Sequence, residues 1–549
     1  MRWTILNKNI EKDRIIETLL ENRNVKSGKE KDEFINPILP DKLTAQDLGL
    51  EEEEVKKGVQ RILSALENNE RIIVYGDYDA DGICATAILW KTLYKFNKNI
   101  LPYIPERAKE GYGLNKESLS KLKKDYPDLK LIITVDHGIT AAEKVDFAGE
   151  LGVDIIVCDH HQINEKVPNC VSIIHTEKIC AAAIAWFVSL SIEKAISHKL
   201  SAISSSDLDL VAIATIADME PLIGVNRSFA KYGLEELNRT VKPGLLSLFE
   251  EARIVKGNLG SFEIGYIIAP RLNAMGRLSQ AMDSLRLLCT SSLEQANMLA
   301  SKLGLTNKER QEITEVTSKH ARSLVLKEYP EKLPKLLFAA DISYEEGVIG
   351  LAAGRLTEEF FRPSVVLAVK ENLAKASARS IAGFNIIEAI RTCSDLLIDA
   401  GGHPMAAGFT IEISNINLLK ERLIGKAEEL ITEEMLEKSL KIDFELPLEE
   451  NNIQLYDEIQ NLSPFGIGNP EPVFKSSAYI KEMRPVGSEG KHIKFVFKSE
   501  NALFSGIAFN RKDLLEKLKI GDEVDVAYCL TLNEWQGRTN LELRVKDIK

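Results

Sequence analysis

The clearest pattern along the chain is an apolar run, a polar turn and a helical spacing of apolar residues, repeated between residues 71 and about 290. Three of the apolar runs are rich in β-branched residues: RIIVYG from Arg71, KLIITV from Lys130 and DIIVC from Asp154. Continuous apolar runs are typical of strands buried on both faces, and their alternation with helices indicates a parallel sheet. This region is therefore predicted to have an α/β fold.

Other patterns divide the rest of the chain. Residues 1–70 are predicted to form short helices, one of them amphipathic and lying within GLEEEEVKKGVQRILSALENN. A long polar amphipathic stretch at 291–330 predicts a helix that links two lobes. Residues 331–435 contain the apolar runs KLLFAA, SVVLAV and AGFTIE and predict a second α/β region. Residues 440–549 alternate in HIKFVFKS, EVDVAYCLTL and TNLELRVKDI, which predicts a small β domain, an open barrel.

Composition narrows the class of protein. A chain of 549 residues with 44% hydrophobic and 28% charged residues is typical of a soluble protein of two to four domains. The longest apolar stretch, ICAAAIAWFVSLSI, is too short to span a bilayer, so we expect a cytoplasmic protein without a membrane contact. A net charge of -12 gives no overall signature of nucleic-acid binding. Seven cysteines without a C-x-x-C spacing argue against a disulfide framework or a zinc site.

Acidic residues and histidines follow the three strands of the predicted parallel sheet. They are Asp77, Asp79 and Asp81 after the first strand, Asp136 after the second, and Asp159, His160 and His161 after the third. The carboxyl ends of parallel strands meet at one edge of a sheet, so we expect these side chains to share a crevice. Crowded carboxylates either raise one another's pKa or bind cations. Oxygen ligands mixed with imidazole favour two Mn²⁺ or Mg²⁺ ions.

Two simpler interpretations compete with a metal site. A single Asp after a strand more often caps the next helix. The run D-x-D-x-D-G could also imitate a calcium loop, but the glutamate required at the twelfth position is replaced by Ile88. Three acidic strand ends within about 90 residues make coincidence a poor explanation.

Four ordered segments, GDYDADG, VDHGIT, DHH and TIADMEPL, resemble the motifs of the DHH phosphoesterases. GVIGLAAGRL, ASARSIAGFN and GGHPMAAGF resemble the DHH-associated domain. FINP, PERAKEGYGL, APRLNAMGRL and LSPFGIGNPEPVF are similar, in the same order and over nearly the whole chain, to the RecJ family of single-strand-specific 5′-to-3′ exonucleases. The resemblance implies an N-terminal helical segment (1–70), a DHH catalytic domain (71–290), a linking helix (291–330), a DHH-associated domain (331–435) and an OB-fold-like domain (440–549).

The resemblance also implies roles for individual residues. It implies that the metal ligands are Asp77, Asp79, Asp81, Asp136, His160 and Asp218. Asp159 and His161 become catalytic residues that support the metals or contact the scissile phosphate. The 5′-phosphate and nucleotide path is assigned to Arg107, Arg271, Asn273, Arg277, Ser377, Arg379, Gly401, Gly402 and His403. The inclusion of Asp218 depends mainly on the order of the motifs, because it follows a helical run.

Two features depart from the family pattern. His137 follows Asp136, where it could add a ligand or shape the turn. The segment after the DHH motif, VSIIHTEKICAAAIAWF, lacks an Asn-Pro and a glycine-rich connection, which predicts a shortened loop over the site and puts the substrate preference in doubt.

The implied function is a metal-dependent exonuclease that hydrolyses single-stranded DNA to mononucleotides from the 5′ end, with two ions activating a water. Repair and recombination are the implied processes, with a single-strand-binding protein and a helicase as partners of a monomer. One alternative is a DHH phosphodiesterase that acts on short RNA or small phosphorylated substrates; the extra β domain counts against it. The other is a non-catalytic replication scaffold, and the retained acids count against that.

The terminal domain is predicted to bind the single strand. This segment contains four aromatic residues among basic ones: Phe495, Phe497, Tyr528 and Trp535. OB-folds that bind single strands use aromatic and basic side chains in a groove. We expect half of these aromatic residues to belong to the barrel core instead.

Overall fold

A computed structural model describes residues 1–8, 14–163, 166–196, 207–535 and 537–549. The chain divides into two units. One comprises residues 302–440 together with 1–2 and 277–279, and the other comprises residues 3–276, 280–301 and 441–549. The predicted fold class is confirmed: α/β lobes are followed by a β-barrel.

The N-terminal segment is mostly helical, as predicted. Its elements are β1 (Arg2–Asn7), α1 (Ile15–Asn22), α2 (Gly28–Ile35), α3 (Ala45–Leu48) and α4 (Glu52–Glu67). The predicted amphipathic helix is α4, which buries Val55, Val59 and Ile62 and begins with glutamates at its positive end.

A five-stranded parallel sheet forms the centre of the larger unit. Its strands are β2 (Arg71–Tyr75), β3 (Ile100–Tyr103), β4 (Leu129–Val135), β5 (Asp154–Asp159) and β6 (Ser172–His175). Their order is β3-β2-β4-β5-β6, and every pairing is parallel. The chain leaves β2 for β3 on one side and returns to β4 on the other, so the strand order reverses between β2 and β4. Ligands bind beyond the carboxyl ends of strands at such a reversal.

Helices surround this sheet and continue beyond it. They are α5 (Ala80–Tyr94), α6 (Arg107–Glu110), α7 (Lys116–Asp125), α8 (Ala142–Glu150), α9 (Ala181–Ile196), α10 (Leu208–Ala217), α11 (Gly224–Arg239), α12 (Pro243–Ala252), α13 (Ser261–Glu263), α14 (Ala269–Leu278), α15 (Met282–Cys289) and α16 (Leu293–Glu328). A π-helical turn, Ile264–Ile268, joins α13 to α14. The long helix predicted at 291–330 is α16.

The smaller unit contains a mixed sheet. Its elements are β7 (Leu337–Asp341), α17 (Ile349–Phe360), β8 (Ser364–Lys370), β9 (Leu373–Arg379), α18 (Ile386–Arg391), β10 (Leu397–His403), β11 (Ala406–Glu412) and α19 (Ile416–Leu430). The strand order is β10-β11-β9-β8-β7, with β7 parallel to β8 and the other pairs antiparallel. The predicted second α/β region is therefore present.

The C-terminal segment forms a closed barrel rather than an open one. Its elements are β12 (Ser439–Glu445), α20 (Ile453–Gln460), β13 (Phe474–Val486), β14 (His492–Lys498), β15 (Leu503–Ala508), α21 (Leu514–Lys517), β16 (Glu523–Trp535) and β17 (Arg538–Ile548). Strand β13 pairs with both β14 and β16, which closes the ring β13-β14-β15-β17-β16. Phe495, Phe497 and Tyr528 are fully buried in its core, which is more than the expected half, and the side chain of Trp535 lies outside the described residues.

The prediction that residues 1–70 form short helices is wrong at the start of the chain. Arg2–Asn7 is a strand that lies beside β12 in the barrel sheet. Its alternating side chains suit a sheet edge, but the strand that stabilises it is more than 430 residues away, beyond the reach of local patterns. Among the described helices, none combines the length and the apolar character needed to cross a membrane.

Candidate metal centre

The carboxyl edge of the parallel sheet carries a dense group of acids and histidines. β2 ends just before Asp77, β4 ends just before Asp136, and β5 ends at Asp159 and is followed by His160. Asp218 reaches the same place from the C-terminal end of α10. The eight residues predicted for metal binding and catalysis thus come together, and their roles remain predictions.

Two of the acids also hold helices in place. The side chain of Asp79 accepts hydrogen bonds from the N–H groups of Asp81 and Gly82 at 3.0 and 3.1 Å and caps α5. Asp81 accepts from the N–H groups of Ala181 and Ala182, each at 2.7 Å, where α9 begins. A carboxylate offers about four lone-pair directions, so a capping residue can bind a metal as well. The capping interpretation is therefore correct for Asp79 without excluding ligation.

Asp136 has a strained backbone. Its φ of 67° lies in the left-handed region, which is unfavourable for a residue with a side chain, and its N–H donates to the Cys158 carbonyl at 3.0 Å. Such strain persists where the surrounding structure enforces it, most often at functional sites. The turn directs the carboxylate of Asp136 to within 3.2 Å of Nε2 of His160.

The side chain of Asp159 holds neighbouring residues in position through hydrogen bonds. Its Oδ2 accepts from the N–H of Ile139 at 2.9 Å, while Oδ1 accepts from the N–H of His160 at 2.7 Å. Nδ1 of His161 lies 2.7 Å from the same Oδ1. Burial opposes ionisation, but these hydrogen bonds hold the pKa of Asp159 well below its ordinary value. The geometry thus favours the supporting role among the two predicted for Asp159.

His160 is at the centre of the cluster. Its Nε2 lies 3.7 Å from Oδ2 of both Asp81 and Asp218, in addition to the contact with Asp136. On its other side, Nδ1 lies 3.5 Å from Oε1 of Glu220. Burial opposes protonation, yet the hydrogen bonds to Asp136 and Glu220 raise the pKa of His160 to about 12.

The carboxylates suppress one another's ionisation. Burial, followed by repulsion from Asp79, raises the pKa of Asp77 and Asp136 well above the ordinary range. Burial also raises the pKa of Asp81 to about 6, and burial with repulsion from Asp81 raises that of Asp218 to about 8. Crowded acids of this kind become stable as anions when a cation is present.

The donor set fits divalent ions. Three groups have ligand atoms within 4.8 Å of one another: Asp77, Asp79 and Asp136; Asp81, His160 and Asp218; and Asp136, His160 and His161. Among the described residues, none donates a hydrogen bond to the buried Oδ1 of Asp77. Carboxylate oxygens with imidazole nitrogen suit Mn²⁺, and the oxygens alone suit Mg²⁺. The cluster can therefore hold the predicted ions.

Sequence reasoning missed two residues that contact the cluster. Glu220 contacts His160, and it lies only two residues after Asp218 in TIADMEPL. The hydroxyl of Tyr112 donates to the Asp136 carbonyl at 3.1 Å and lies 3.2 Å from Nε2 of His161. The segment PERAKEGYGL contains Tyr112, and no local pattern in it indicates these contacts.

His137 shapes the turn and is not directed at the cluster. Its side chain is buried, and Nε2 lies 3.0 Å from the carbonyl oxygen of Tyr75 at the end of β2. Burial lowers the pKa of His137 to about 4. A neutral ring packed against Tyr75 agrees with the second of its two suggested roles.

Three predicted phosphate contacts lie in the same unit as the cluster. The guanidinium of Arg107 lies over the ring of Tyr78, 5.3 Å from its centroid, and its charge acts on Asp77. Arg271 is engaged in an ion pair with Glu251 at 2.6 Å. The buried Oδ1 of Asn273 accepts no hydrogen bond from the described residues. Arg107 is the member of this group whose position beside the acids fits phosphate binding most directly.

The other predicted contacts lie in the smaller unit. Nη1 of Arg379 donates to Oγ of Ser377 at 3.2 Å, which brings these two together on β9. At Gly350 in α17, a Cβ would lie 2.9 Å from that Oγ, so the missing side chain allows the helix to pack closely against Ser377 and Arg379. Arg277 donates to the Gly347 carbonyl at 3.1 Å.

Gly401, Gly402 and His403 lie on the exposed strand β10, beside the hairpin to β11. Gly402 has a φ of 142°, and a Cβ there would lie 2.4 Å from the carbonyl oxygen of Ala406. The tight hairpin explains this glycine by itself. A phosphate contact for these three residues stays a prediction.

Three family models match successive parts of the chain. They are described as the DHH family, N-terminal domain (residues 71–215), the DHHA1 domain (333–429) and the RecJ OB domain (442–547). The single-stranded-DNA-specific exonuclease RecJ of Dickeya dadantii is 30% identical over 522 residues, which cover 90% of each chain. The chain belongs to the RecJ family. The predicted resemblance is confirmed.

Other members of the RecJ family agree with this assignment. RecJ of Bacillus subtilis is 34% identical over 90% of this chain, which spans 63% of that relative's length. Two crystal structures of RecJ from Thermus thermophilus, in complex with Mn²⁺ and with Mg²⁺, match all of this chain with TM-scores of 0.84 and 0.78. This chain covers 79% and 78% of them, at 28% and 27% identity.

Proposed function

We propose that this protein is a metal-dependent exonuclease that hydrolyses single-stranded DNA to mononucleotides from its 5′ end. The observation that carries the proposal is the buried cluster of acids around His160 at the edge of the parallel sheet. RecJ relatives are named as single-stranded-DNA-specific exonucleases, and RecJ has been crystallised with Mn²⁺ and Mg²⁺. The supporting geometry and the family relationship thus point to the same chemistry.

Two divalent ions would be held by the predicted ligands Asp77, Asp79, Asp81, Asp136, His160 and Asp218. Such ions supply an activated water and neutralise the phosphodiester and the leaving oxygen in an in-line displacement. Around them, the N–H groups at the start of α9 fix the carboxylate of Asp81, and the strained turn aims that of Asp136. These contacts orient the ligands before substrate binds, which lowers the cost of reaching the reactive geometry.

The remaining side chains would position the substrate. We assign His161 to the scissile phosphate, because Asp159 orients its Nδ1 and Tyr112 contacts its Nε2. Arg107 is placed beside the acids, where a guanidinium can grip a phosphate oxygen. Ser377 and Arg379 supply a second phosphate contact, and burial lowers the pKa of Arg379 without removing its charge at neutral pH.

Other parts of the proposal come from the RecJ relationship. We propose that Arg271, Asn273, Arg277, Gly401, Gly402 and His403 complete the phosphate and nucleotide path. The same proposal includes a role in repair and recombination, a monomeric state and a cytoplasmic location. It also includes a helicase and a single-strand-binding protein as partners. The boundaries 1–70, 71–290, 291–330, 331–435 and 440–549 are proposed as domain limits.

The direct test is degradation of an end-labelled single strand. Wild-type protein and the Asp136→Ala variant are incubated with strands labelled at the 5′ or the 3′ end, with Mn²⁺, Mg²⁺ or EDTA. A blunt duplex serves as the substrate control. We expect metal-dependent release of mononucleotides from the 5′ label, little attack on the duplex and loss of activity in the variant.

Three results would contradict the proposal. A strand that is bound but stays intact with every metal would favour a non-catalytic scaffold. Failure to bind or cut DNA, with hydrolysis of short RNA or small phosphodiesters instead, would favour the other DHH activity. Release from the 3′ label first would reverse the proposed direction.

A further inference from the structure

The loop between β3 and α7, residues 104–115, brings two side chains to the metal centre. Arg107 acts on Asp77 through its charge, and the hydroxyl of Tyr112 donates to the Asp136 carbonyl at 3.1 Å. Tyr112 lies outside the helices and strands, and α6, which begins at Arg107, is only four residues long. A single helical turn is not stable by itself. The directions of both side chains therefore depend on other contacts of the loop.

Glu110, the last residue of α6, makes such contacts from inside the loop. Its Oε2 accepts hydrogen bonds from the hydroxyl groups of Tyr103, at the end of β3, and Ser118, near the start of α7. Its Oε1 accepts from the N–H of Glu106 at 3.2 Å, just before α6. One carboxylate therefore joins the strand before the loop, the helix after it and the turn between them.

The backbone of Glu110 is held as well. Its carbonyl oxygen accepts from Nδ2 of Asn115 at 3.2 Å, and Asn115 also caps α7. Between these two residues the chain turns at Gly111 and Gly113, whose φ values of 76° and 66° are readily adopted by glycine. Tyr112 is thus enclosed between two fixed points of the chain.

The charge of Glu110 is used within the loop and not at the metals. Burial opposes ionisation, but hydrogen bonds from Ser118 and Tyr103 hold the pKa of Glu110 below its ordinary value. Hydrogen bonds to an ionised carboxylate are stronger than those between neutral groups. Among the described residues, Glu110 does not belong to any of the groups that could hold a metal ion. Its contacts therefore indicate an anchor for the loop.

We propose that Glu110 is a positioning residue that holds Arg107 and Tyr112 in place, so that the enzyme distinguishes a 5′-phosphorylated end from a 5′-hydroxyl end. The inference rests on the proposed function, in which Arg107 grips a phosphate oxygen. Glu110 acts through the loop and contacts neither the metals nor the substrate. A displacement of about 1 Å in a substrate-positioning group can cost about 100-fold in rate, so loss of the anchor is measurable.

The test compares thymidine 20-mers that carry a 5′-phosphate or a 5′-hydroxyl group. In Glu110→Ala, kcat/KM for the phosphorylated strand should fall by about 10–100-fold, and kcat/KM for the hydroxyl strand should fall much less. The Mn²⁺ affinity should equal that of wild type, because no metal ligand changes. A Glu110→Ala variant that keeps the wild-type preference for the phosphorylated strand would overturn the inference.

A double-mutant cycle shows whether Glu110 acts through Arg107. Residues that act as a unit have non-additive effects. In an Arg107→Ala background, the further change Glu110→Ala should therefore reduce kcat/KM for the phosphorylated strand much less than it does in wild type. Losses that add fully would contradict action through Arg107.

Three variants serve as controls. Glu110→Gln keeps an oxygen that accepts from both hydroxyl groups and should lose less than Glu110→Ala. Tyr103→Phe removes one donor and keeps the ring, so a small loss in the same direction is expected. Glu117→Ala removes the same charge from an exposed position in the first turn of α7 and should behave as wild type. A loss in Glu117→Ala equal to that in Glu110→Ala would indicate a general effect of charge and would overturn the inference.

Amide hydrogen exchange separates the inference from the proposed function, because it does not depend on turnover. Exchange at residues 106–113 should become about 10-fold faster in Glu110→Ala, since the loop opens more often without its anchor. Unchanged exchange would overturn the inference alone. A wild-type protein that cleaves neither strand would contradict the proposed function, and faster exchange in the variant would still support the anchoring of the loop by Glu110.

Discussion

The larger unit contains two groups of buried carboxylates that are neutralised in different ways. At the end of the sheet, the acids around His160 crowd one another, and their pKa values are raised. At the start of α10, Asp207 and Asp209 are also buried, but Lys242 contacts both of them. Lys91 adds a second ammonium group, 2.5 Å from Asp207. The second group therefore carries its own cations.

The pKa of Asp207 shows the consequence. Burial alone would raise it, but the ammonium groups of Lys242 and Lys91 hold it below its ordinary value. The metal cluster has the imidazoles of His160 and His161 where the other group has two lysines, and its six aspartates outnumber these imidazoles. Buried acids by themselves are thus a poor indication of a metal site, whereas buried acids that lack compensating cations are a good one. Helix α10 connects the two groups, with Asp207 before its first residue and Asp218 after its last.

The largest contrast is expected from replacing one carboxylate of each group by its neutral amide. Asp136→Asn should reduce nuclease activity by at least about 100-fold, because loss of a ligand should exceed the 10–100-fold effects of residues that only support ligands. Asn tolerates the left-handed backbone of this position, and the metal-free variant should be as stable as wild type or more stable. Asp207→Asn should leave activity largely intact. Nuclease rates with Mn²⁺ and urea unfolding in EDTA measure the two effects.

Comparable losses of activity in both variants would remove the distinction between the groups. So would a metal-free Asp136→Asn variant that is much less stable than wild type, since that result would make the cluster a structural feature. Mn²⁺ binding, followed by the signal of the free ion in electron paramagnetic resonance, supplies a readout that does not depend on turnover.

The next contrast is removal of a lysine. Lys242→Met leaves Asp207 and Asp209 buried with less compensation, which should lower the free energy of unfolding by about 3–5 kcal/mol. The Mn²⁺ affinity of the folded variant should be unchanged. Urea denaturation measures the loss, and Lys256→Met is a suitable control because that exposed lysine donates a hydrogen bond to the Thr240 carbonyl and is not buried beside the two acids. A variant as stable as wild type would show that Lys242 does not compensate the two acids.

A smaller contrast concerns pH. Unfolded Asp has a pKa of about 3.9, whereas the folded values are about 6 for Asp81 and about 8 for Asp218. Between pH 4 and 8 these two carboxyl groups therefore bind more protons in the metal-free native state than in the unfolded state, and the stability that they contribute falls as pH rises. The raised pKa of His160 acts in the same direction above about pH 6.5.

Mn²⁺ should reverse this loss, because it binds the deprotonated ligands. At 100 times its Kd, the ion stabilises the folded protein by about 2.7 kcal/mol, or about 2–3 °C in Tm for a chain of this length. Thermal unfolding at pH 5.5 and 8, with Mn²⁺ or EDTA, should give a larger Tm difference at pH 8. The difference should shrink in Asp136→Asn. A difference that is independent of pH would mean that the raised pKa values do not describe the cluster.

The sequence predicts most of the fold where local patterns are sufficient. The runs at β2, β4 and β5 are buried on both faces and stand out as apolar segments, and the acids after them converge because strands in a parallel sheet end at one edge. Asp218 has no such signal and was reached through the family order. The aromatic residues of the barrel are difficult for a different reason. Their alternation with polar residues does not distinguish a side chain in the barrel core from one on a binding surface.

The missed contacts share a physical reason. Tyr112 meets His161, and Glu220 meets His160, across 49 and 60 positions of the chain. Each contact is made by a side chain in a turn, where no periodicity fixes the direction in which it points. The strand β1 was missed for the same reason, because its stabilising neighbour is distant in sequence. Tertiary structure decides these positions, and the sequence alone does not reveal them.

The smallest expected effect concerns Glu220, whose carboxylate lies near Nδ1 of His160, on the side of the ring away from the aspartates. When Nδ1–H of His160 donates to Glu220, loss of the other ring proton leaves the lone pair on Nε2, which lies beside Asp81, Asp136 and Asp218. Partners of this kind fix the tautomer of a metal-binding histidine, and their loss typically weakens metal affinity by 10–100-fold. Glu220→Ala should therefore lower the Mn²⁺ affinity by about 10-fold.

Glu220→Gln should retain much of the affinity, because the amide oxygen still accepts the hydrogen bond from Nδ1 while the negative charge is lost. Glu235→Gln, at an exposed position of α11, removes the same charge without a contact to His160 and should have no effect. Titrations with Mn²⁺ compare the three variants directly. If Glu220→Gln and Glu220→Ala lose affinity equally, the charge of Glu220 matters and its hydrogen bond does not. In that case Glu220 would be a seventh acid of the cluster, and the difference from the lysine-compensated group would be larger.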